Sequence, residues 1–249
     1  MKALENFKNS IKAKNCVKII AGIDNYDIEK VLKVIKTADI GGADAIDVAA
    51  REDIIKLARE NSELAVFVSS TEPEKLLMAK ENGADVLEIG NFDAQYKEGI
   101  RISAQEVLEI TQKTIDLIGQ DIMLSVTVPG HIDITEQIRL AQQLEAMGAD
   151  LLQTEGASTI EATSAGVRGL MEKATVSISN TLELVKNVEI PVMTASGITS
   201  TTAPMAFAAG ASAIGVGSCV NKLNSEIEMF VTVKSIIEAV KTSPKKSLA

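Results

Sequence analysis

The sequence predicts an α/β protein, a single (β/α)8 TIM barrel with an extra N-terminal helix, and three observations carry that expectation. Four times the chain passes through a glycine into a short apolar strand: GGADAIDVAA from 41, NGADVLEIG from 82, MGADLLQTEG from 147 and AGASAIGVGS from 209. Further apolar runs lie between and before these segments, VKIIAG from 17, AVFVSS from 65, MLSVTVP from 123 and PVMTASG from 191, and make eight strands in all. Helical patterns fill the gaps. Strict alternation of near-continuous apolar strands with helices over about 250 residues is the pattern of a closed parallel barrel. An open doubly wound sheet is the alternative.

The elements follow in order. An amphipathic helix over about Leu4 to Lys14 is placed to cover the barrel bottom, within residues 1–15, and Asp27 is positioned to cap the helix after strand 1. Each repeat glycine stands where a helix needs a left-handed residue to stop. Start signals of the form Ser/Thr/Asp/Asn-x-x-Glu occur at Thr71 with Glu74, Ser103 with Glu106, Asp133 with Glu136, Asn180 with Glu183 and Ser225 with Glu228. Pro73 fits a first helical turn. Residues 242–249 read as a flexible tail. The uncharged run from Ile190 to Asn221 is long enough for a membrane helix, but Pro191, Gly197, Pro204, Gly210, Gly215 and Gly217 break it, and two buried strands around a short helix fit better.

Composition narrows the function classes. The 249 residues are 46% hydrophobic, and the formal charge of -9 is spread along the chain, which disfavours nucleic acid and anionic lipid as partners. Aromatic residues are 3% and Trp is absent, so a base-stacking platform is missing as well. The N-terminal segment lacks the apolar core of a secretory signal, and the chain reads as soluble and cytoplasmic.

In such a barrel the strand C-terminal ends carry the active face, and the strands there end in residues too small to pack. Ser196 and Gly197 follow strand 7, and Gly215, Gly217 and Ser218 end strand 8. Converging amides without side chains in the way suit a phosphate group, so these five residues are the expected anion cradle for a small phosphorylated metabolite. Plain tight turns are the simpler account of the same residues.

PVMTASGITSTTAPMAFAAGASAIGVGS resembles the strand 7 to strand 8 segment of phosphate-binding barrels such as the N-acylmannosamine-6-phosphate epimerases and the ribulose-phosphate-binding group. That resemblance implies a ligand class and no reaction. VKIIAGIDNYDIEKVLKVIKTADIGGADAIDVAA and DLLQTEGAST resemble the hypothetical chloroplast reading frame 23 family of cyanobacteria and plastids over essentially the full length. This second resemblance implies a barrel and a compartment, cyanobacterial cytosol or plastid stroma, and supplies no catalytic residue.

The chemistry is therefore sought in polar residues inside apolar strands, where an ionisable group is costly unless paired or used. Asp47 in strand 2, Glu88 in strand 4 and Glu155 at the end of strand 6 are the catalytic candidates, as acid/base groups whose pKa burial can raise. Some of them have the alternative of pointing outward or being neutralised by Lys18, which is early in strand 1 and thereby disfavoured as a Schiff-base lysine. Gln153, Asn25, Arg51, Arg101 and Arg168 are substrate-binding candidates, the arginines for a carboxylate or second phosphate. The loops from Asn91 and from Gly156 are long enough for lids. His131, the sole histidine, is an acid/base candidate or a surface residue. No cofactor is indicated: the three carboxylates are oxygen ligands of the kind magnesium takes, and no spacing demands it. Cys16 and Cys219 fall at opposite ends of neighbouring strands and are expected to be free thiols, Cys219 with a pKa lowered by the nearby helix start or else a small buried hydrophobe. Isomerase, epimerase or lyase chemistry suits such a site, a non-catalytic metabolite-sensing module is the alternative, and barrels of this type often form homo-oligomers.

Overall fold

A computed structural model describes residues 2–96, 99–156 and 163–242. Its first half runs α1 (Lys2–Lys12), β1 (Cys16–Ile20), α2 (Ile28–Gly41), β2 (Ala45–Ala49), α3 (Glu52–Asn61), β3 (Ala65–Ser70), α4 (Pro73–Glu81), β4 (Val86–Ile89), α5 (Asp93–Tyr96) and α6 (Ala104–Ile118). The second half continues β5 (Met123–Val128), α7 (Ile134–Met147), β6 (Leu151–Thr154), α8 (Gly166–Leu184), β7 (Val192–Ala195), α9 (Ala203–Ala208), β8 (Ala213–Val216), α10 (Ser218–Asn221) and α11 (Glu226–Thr242). All eight strands pair in parallel and in chain order, and β8 closes on β1 with Cys16 opposite Ala213 and Lys18 opposite Gly215.

The repeat explains how every second strand is seated. Gly42, Gly83, Gly148 and Gly210 lie just past helix ends with φ of 87°, 92°, 98° and 106°, a conformation glycine adopts without a Cβ penalty. Two residues on, the aspartate clamps the preceding strand. The Asp44 amide donates to the Val17 carbonyl while its carboxylate accepts from the Val17 amide at 2.8 Å. Asp85 does the same to Val66 and Asp150 to Leu124, with carboxylate contacts of 2.9 and 2.8 Å. In the fourth repeat the Ser212 amide donates to the Val192 carbonyl. These clamps sit at the strand N-terminal ends, the barrel face associated with stability.

Helix α1 supplies the bottom layer. Phe7 and Ile11 are buried against inward-facing Cys16, Ala45, Phe67 and Leu151, and the Phe7 and Phe67 rings meet edge to face at 5.1 Å. The Ser10 hydroxyl donates to Asp44 and ties α1 to the first clamp.

Ser103 and Glu106 form the full capping box, and Asp27 and Asp133 each accept from a first-turn amide. Two expected starts are corrected. Thr71 does not cap α4: Glu72 is the residue before the helix, because Pro73 occupies the first helical position and holds its predecessor extended. Asn180 lies inside α8, which runs unbroken for 19 residues, and the hydroxyls of Thr175 and Thr181 on that helix bond back to carbonyls one turn earlier. Most of the segment expected as a long loop after β6 is therefore helix, and residues 157–162 of it lie outside the described residues, as do residues 243–249 of the expected tail. Among the described residues no helix is long and apolar enough to cross a membrane.

Candidate active site

Strand alternation turns Lys18, Asp47, Ser69, Glu88, Ser125 and Gln153 into the barrel, one layer above the apolar plug. They converge on Glu88. Its carboxylate accepts from Lys18 Nζ at 2.7 Å, Ser125 at 2.9 Å, Gln153 Nε2 at 2.9 Å, Asn91 Nδ2 at 3.3 Å and Ser69 at 3.4 Å. Asp47 accepts from Ser69 at 2.7 Å and Asn91 at 3.2 Å and lies 3.6 Å from Lys18. Lys18, Asp47 and Glu88 are all essentially inaccessible.

One ammonium thus faces two buried carboxylates, a combination that keeps both ionised only at a cost in desolvation and mutual repulsion. Burial, with the neighbouring Glu88 charge, pushes the Asp47 carboxyl up to about 6 against the pull of Lys18. The expectation that Lys18 lies toward the wrong end is corrected: its Cα is low in β1, but its long side chain delivers Nζ to the carboxylates and over the Phe67 ring, 4.6 Å from the centroid. It neutralises part of the pair, as the simpler reading of these carboxylates anticipated.

A second cluster stands at the mouth. Glu155, the residue after β6, is buried, accepts from the Tyr96 hydroxyl and receives the Gly130 amide at 3.3 Å. The same hydroxyl lies 3.0 Å from His131 Nδ1, and the Arg101 guanidinium stacks over the Tyr96 ring at 4.5 Å. Burial and the Arg101 charge hold the His131 pKa below its ordinary value.

The turns after β7 and β8 form the third part. Ser196 and Gly197 both have left-handed backbone, φ 75° and 73°. A Cβ on Gly197 would stand 2.5 Å from the Lys173 carbonyl oxygen, so this glycine lets α8 approach as well as making the turn. Gly215 faces the barrel interior between Ala195 and Gln153, whereas a Cβ on Gly217 would meet nothing nearer than 3.7 Å. Ser218 and Cys219 open α10, where first-turn amides have no intrahelical acceptor. Asn221 anchors that turn by donating to the Ile20 carbonyl at 2.9 Å. The Cys219 thiol donates to the Ile198 carbonyl, and burial pushes its pKa up to about 11, which corrects the expectation of a lowered value. Both cysteines are free.

Several expected binding residues are elsewhere engaged. Asn25 donates to the Ala21 carbonyl and shapes the turn after β1. Arg51 is exposed and paired with Asp53, and Arg168, 83% exposed, pairs with Glu172. Neither arginine joins the cluster. Asn91, Ser69, Ser125 and Tyr96 were not singled out in the sequence, although the two serines stand at inward positions of β3 and β5 and were legible from alternation alone. Asp47 and Glu88 direct their oxygens at Lys18, and among the described residues no group of three His, Cys, Asp or Glu is arranged as metal ligands.

Fold and site together define an α/β barrel with an ion-paired carboxylate centre inside and glycine/serine turns at its mouth. The chain belongs to the family described as "Protein of unknown function (DUF561)", whose model matches residues 1–246. It is 35% identical over 235 residues to "Uncharacterized protein ycf23" of Pyropia yezoensis, covering 94% of this chain and 86% of that one. The corresponding protein of Cyanophora paradoxa is 36% identical over 229 residues, 92% and 93% of the two chains. Among solved structures, 3-hexulose-6-phosphate synthase from Salmonella typhimurium superposes with a TM-score of 0.65 at 13% identity, over 91% of this chain and 98% of that one. Orotidine 5'-phosphate decarboxylase from Pyrococcus horikoshii OT3 gives 0.61 at 13%, over 90% and 99%. At such identities the likeness is one of fold.

Proposed function

We propose that this barrel is an enzyme that anchors a small phosphorylated metabolite at the turns after β7 and β8 and acts on it with Asp47, Glu88 and Glu155, as an isomerase, epimerase or lyase. The observation that carries the reading is the buried imbalance of one lysine against two carboxylates, with the Asp47 carboxyl raised to about 6 and so able to give or take a proton near neutrality. Proximity supports it too: a Cβ on Gly156, the residue after Glu155, would lie 3.3 Å from Ser196 Cβ, so the mouth carboxylate and the anion turn share one opening. The structural neighbours named for phosphorylated compounds add an analogy of fold only. A metabolite-sensing module without turnover is the second reading, favoured by the number of donors already committed to Glu88.

The test is a thermal-shift panel of phosphate esters, with inorganic phosphate and the unphosphorylated counterparts as controls. One ester should raise the melting temperature of the wild type. Gly217→Asp should abolish that rise, since the position has room for a side chain and the added charge repels the phosphate. Gly197→Asp is a poorer probe because it also collides with the Lys173 backbone. Glu155→Gln should keep binding and lose turnover of the ester by at least about 100-fold. Absence of stabilisation by every ester would sink the phosphate reading, and turnover unchanged by substitution of each carboxylate would leave the sensing module.

A further inference from the structure

Three strand ends contribute to the mouth cluster, in which the Tyr96 hydroxyl links Glu155 to His131. The Tyr96 oxygen carries a single proton and stands between Glu155 and His131 Nδ1, in contact with both. An ionised carboxylate only accepts. With Glu155 ionised, the phenol proton points to Glu155, the phenol oxygen accepts from His131 Nδ1–H, and the neutral imidazole keeps its lone pair on Nε2.

We propose that His131 and Tyr96 are the proton route of Glu155, with Tyr96 as a positioning residue that fixes the tautomer of His131 and couples the imidazole to the carboxylate. The proposal rests on the reading of Glu155 as an acid/base group. Its steps balance. A proton taken at Nε2, from a ligand or from water, is matched by release of the Nδ1 proton to the phenol oxygen, which gives its own proton to Glu155. Glu155 becomes a carboxylic acid, Tyr96 is again a neutral phenol, His131 is the opposite neutral tautomer, and the donor is one proton short. The reverse passage recharges Glu155. Among the described residues, the charges facing His131 are Arg101, which disfavours imidazolium, Glu136, which favours it more weakly, and Glu155 across the Tyr96 hydroxyl. Burial, the largest influence, acts in the same direction as Arg101 and favours the neutral ring that the route requires. Arg101 also stacks on Tyr96 and steadies the ring whose oxygen makes the link.

His131 is the sole histidine, so its ring nitrogens can be followed by 15N NMR in the full-length protein. The wild type should carry a protonated Nδ1 and a bare Nε2 at pH 7.5, and Tyr96→Phe should reverse the tautomer. Glu155→Gln should lower the His131 midpoint by about half a pH unit, and in the Tyr96→Phe background this effect should shrink by at least half. A tyrosine that only packs would give no such dependence. An Nε2–H tautomer in the wild type, or an equal effect of Glu155→Gln in both backgrounds, would overturn the proposal; if Tyr96→Phe does not fold, the wild-type tautomer decides alone. Success of the ester panel with failure here refutes the route alone. The opposite pair of results refutes the phosphate ligand.

Discussion

Asp47 is where the electrostatics of the interior can be measured. Its pKa is raised on folding from 3.8 to about 6, chiefly by burial and then by Glu88. A raised carboxyl favours the folded state fully below the unfolded pKa, and that contribution is lost as pH rises through the folded value. Denaturation of the wild type should accordingly show stability declining between about pH 4 and pH 7 by up to about 3 kcal/mol from this group. Asp47→Asn should flatten that segment of the curve; an unchanged slope would remove Asp47 as its source. Asp47, Glu88, Gln153 and Glu155 were legible because a polar side chain in an apolar strand is conspicuous wherever it points. Asn91 and Tyr96 were not, since nothing local tells residues following β4 that they will meet Asp47 of β2 and Glu155 just past β6. Lys18 was misjudged from its Cα position because the length of the side chain was ignored. The pairing of Arg168 was also legible, since Glu172 stands four residues on along α8; that of Arg51 with Asp53 was not, because it depends on Arg51 lying extended just before α3.

The Gly-Ala-Asp segment joins three roles in consecutive residues, helix stop, tight entry and clamp on the preceding strand. Asp150→Ala should leave the Leu124 amide without its side-chain acceptor at the barrel rim and cost about 1–2 kcal/mol by urea denaturation. Asp44→Ala is a less clean version because Asp44 also receives Ser10 of α1. The glycines and the strands they precede were readable from periodicity. The start of α8 was not, for Asn180 with Glu183 has the form of a capping box and only the continuous helix around it shows that its backbone donors are already bonded. A capping motif identifies a start only where the cap residue itself is extended, as Ser103 is at α6.

Across the molecule, the plug and the charged layer share one ring. Phe7 of α1 packs edge to face on Phe67, and Lys18 rests over that same ring beneath its carboxylates. Phe7→Ala should open a cavity under β3 and cost about 3–5 kcal/mol in chemical denaturation; a loss below about 1 kcal/mol would mean that α1 is dispensable for the barrel. Closure in chain order has a consequence for synthesis. Cys16 pairs with Ala213, so at 5–20 residues per second the first strand waits roughly 10–40 s on the ribosome before its last neighbour is made. During that interval β1 is an open edge, with hydrogen-bonding groups that another nascent chain can satisfy. Rapid translation and a nearby holdase should therefore raise the yield of this protein more than they raise that of a helical bundle of equal length.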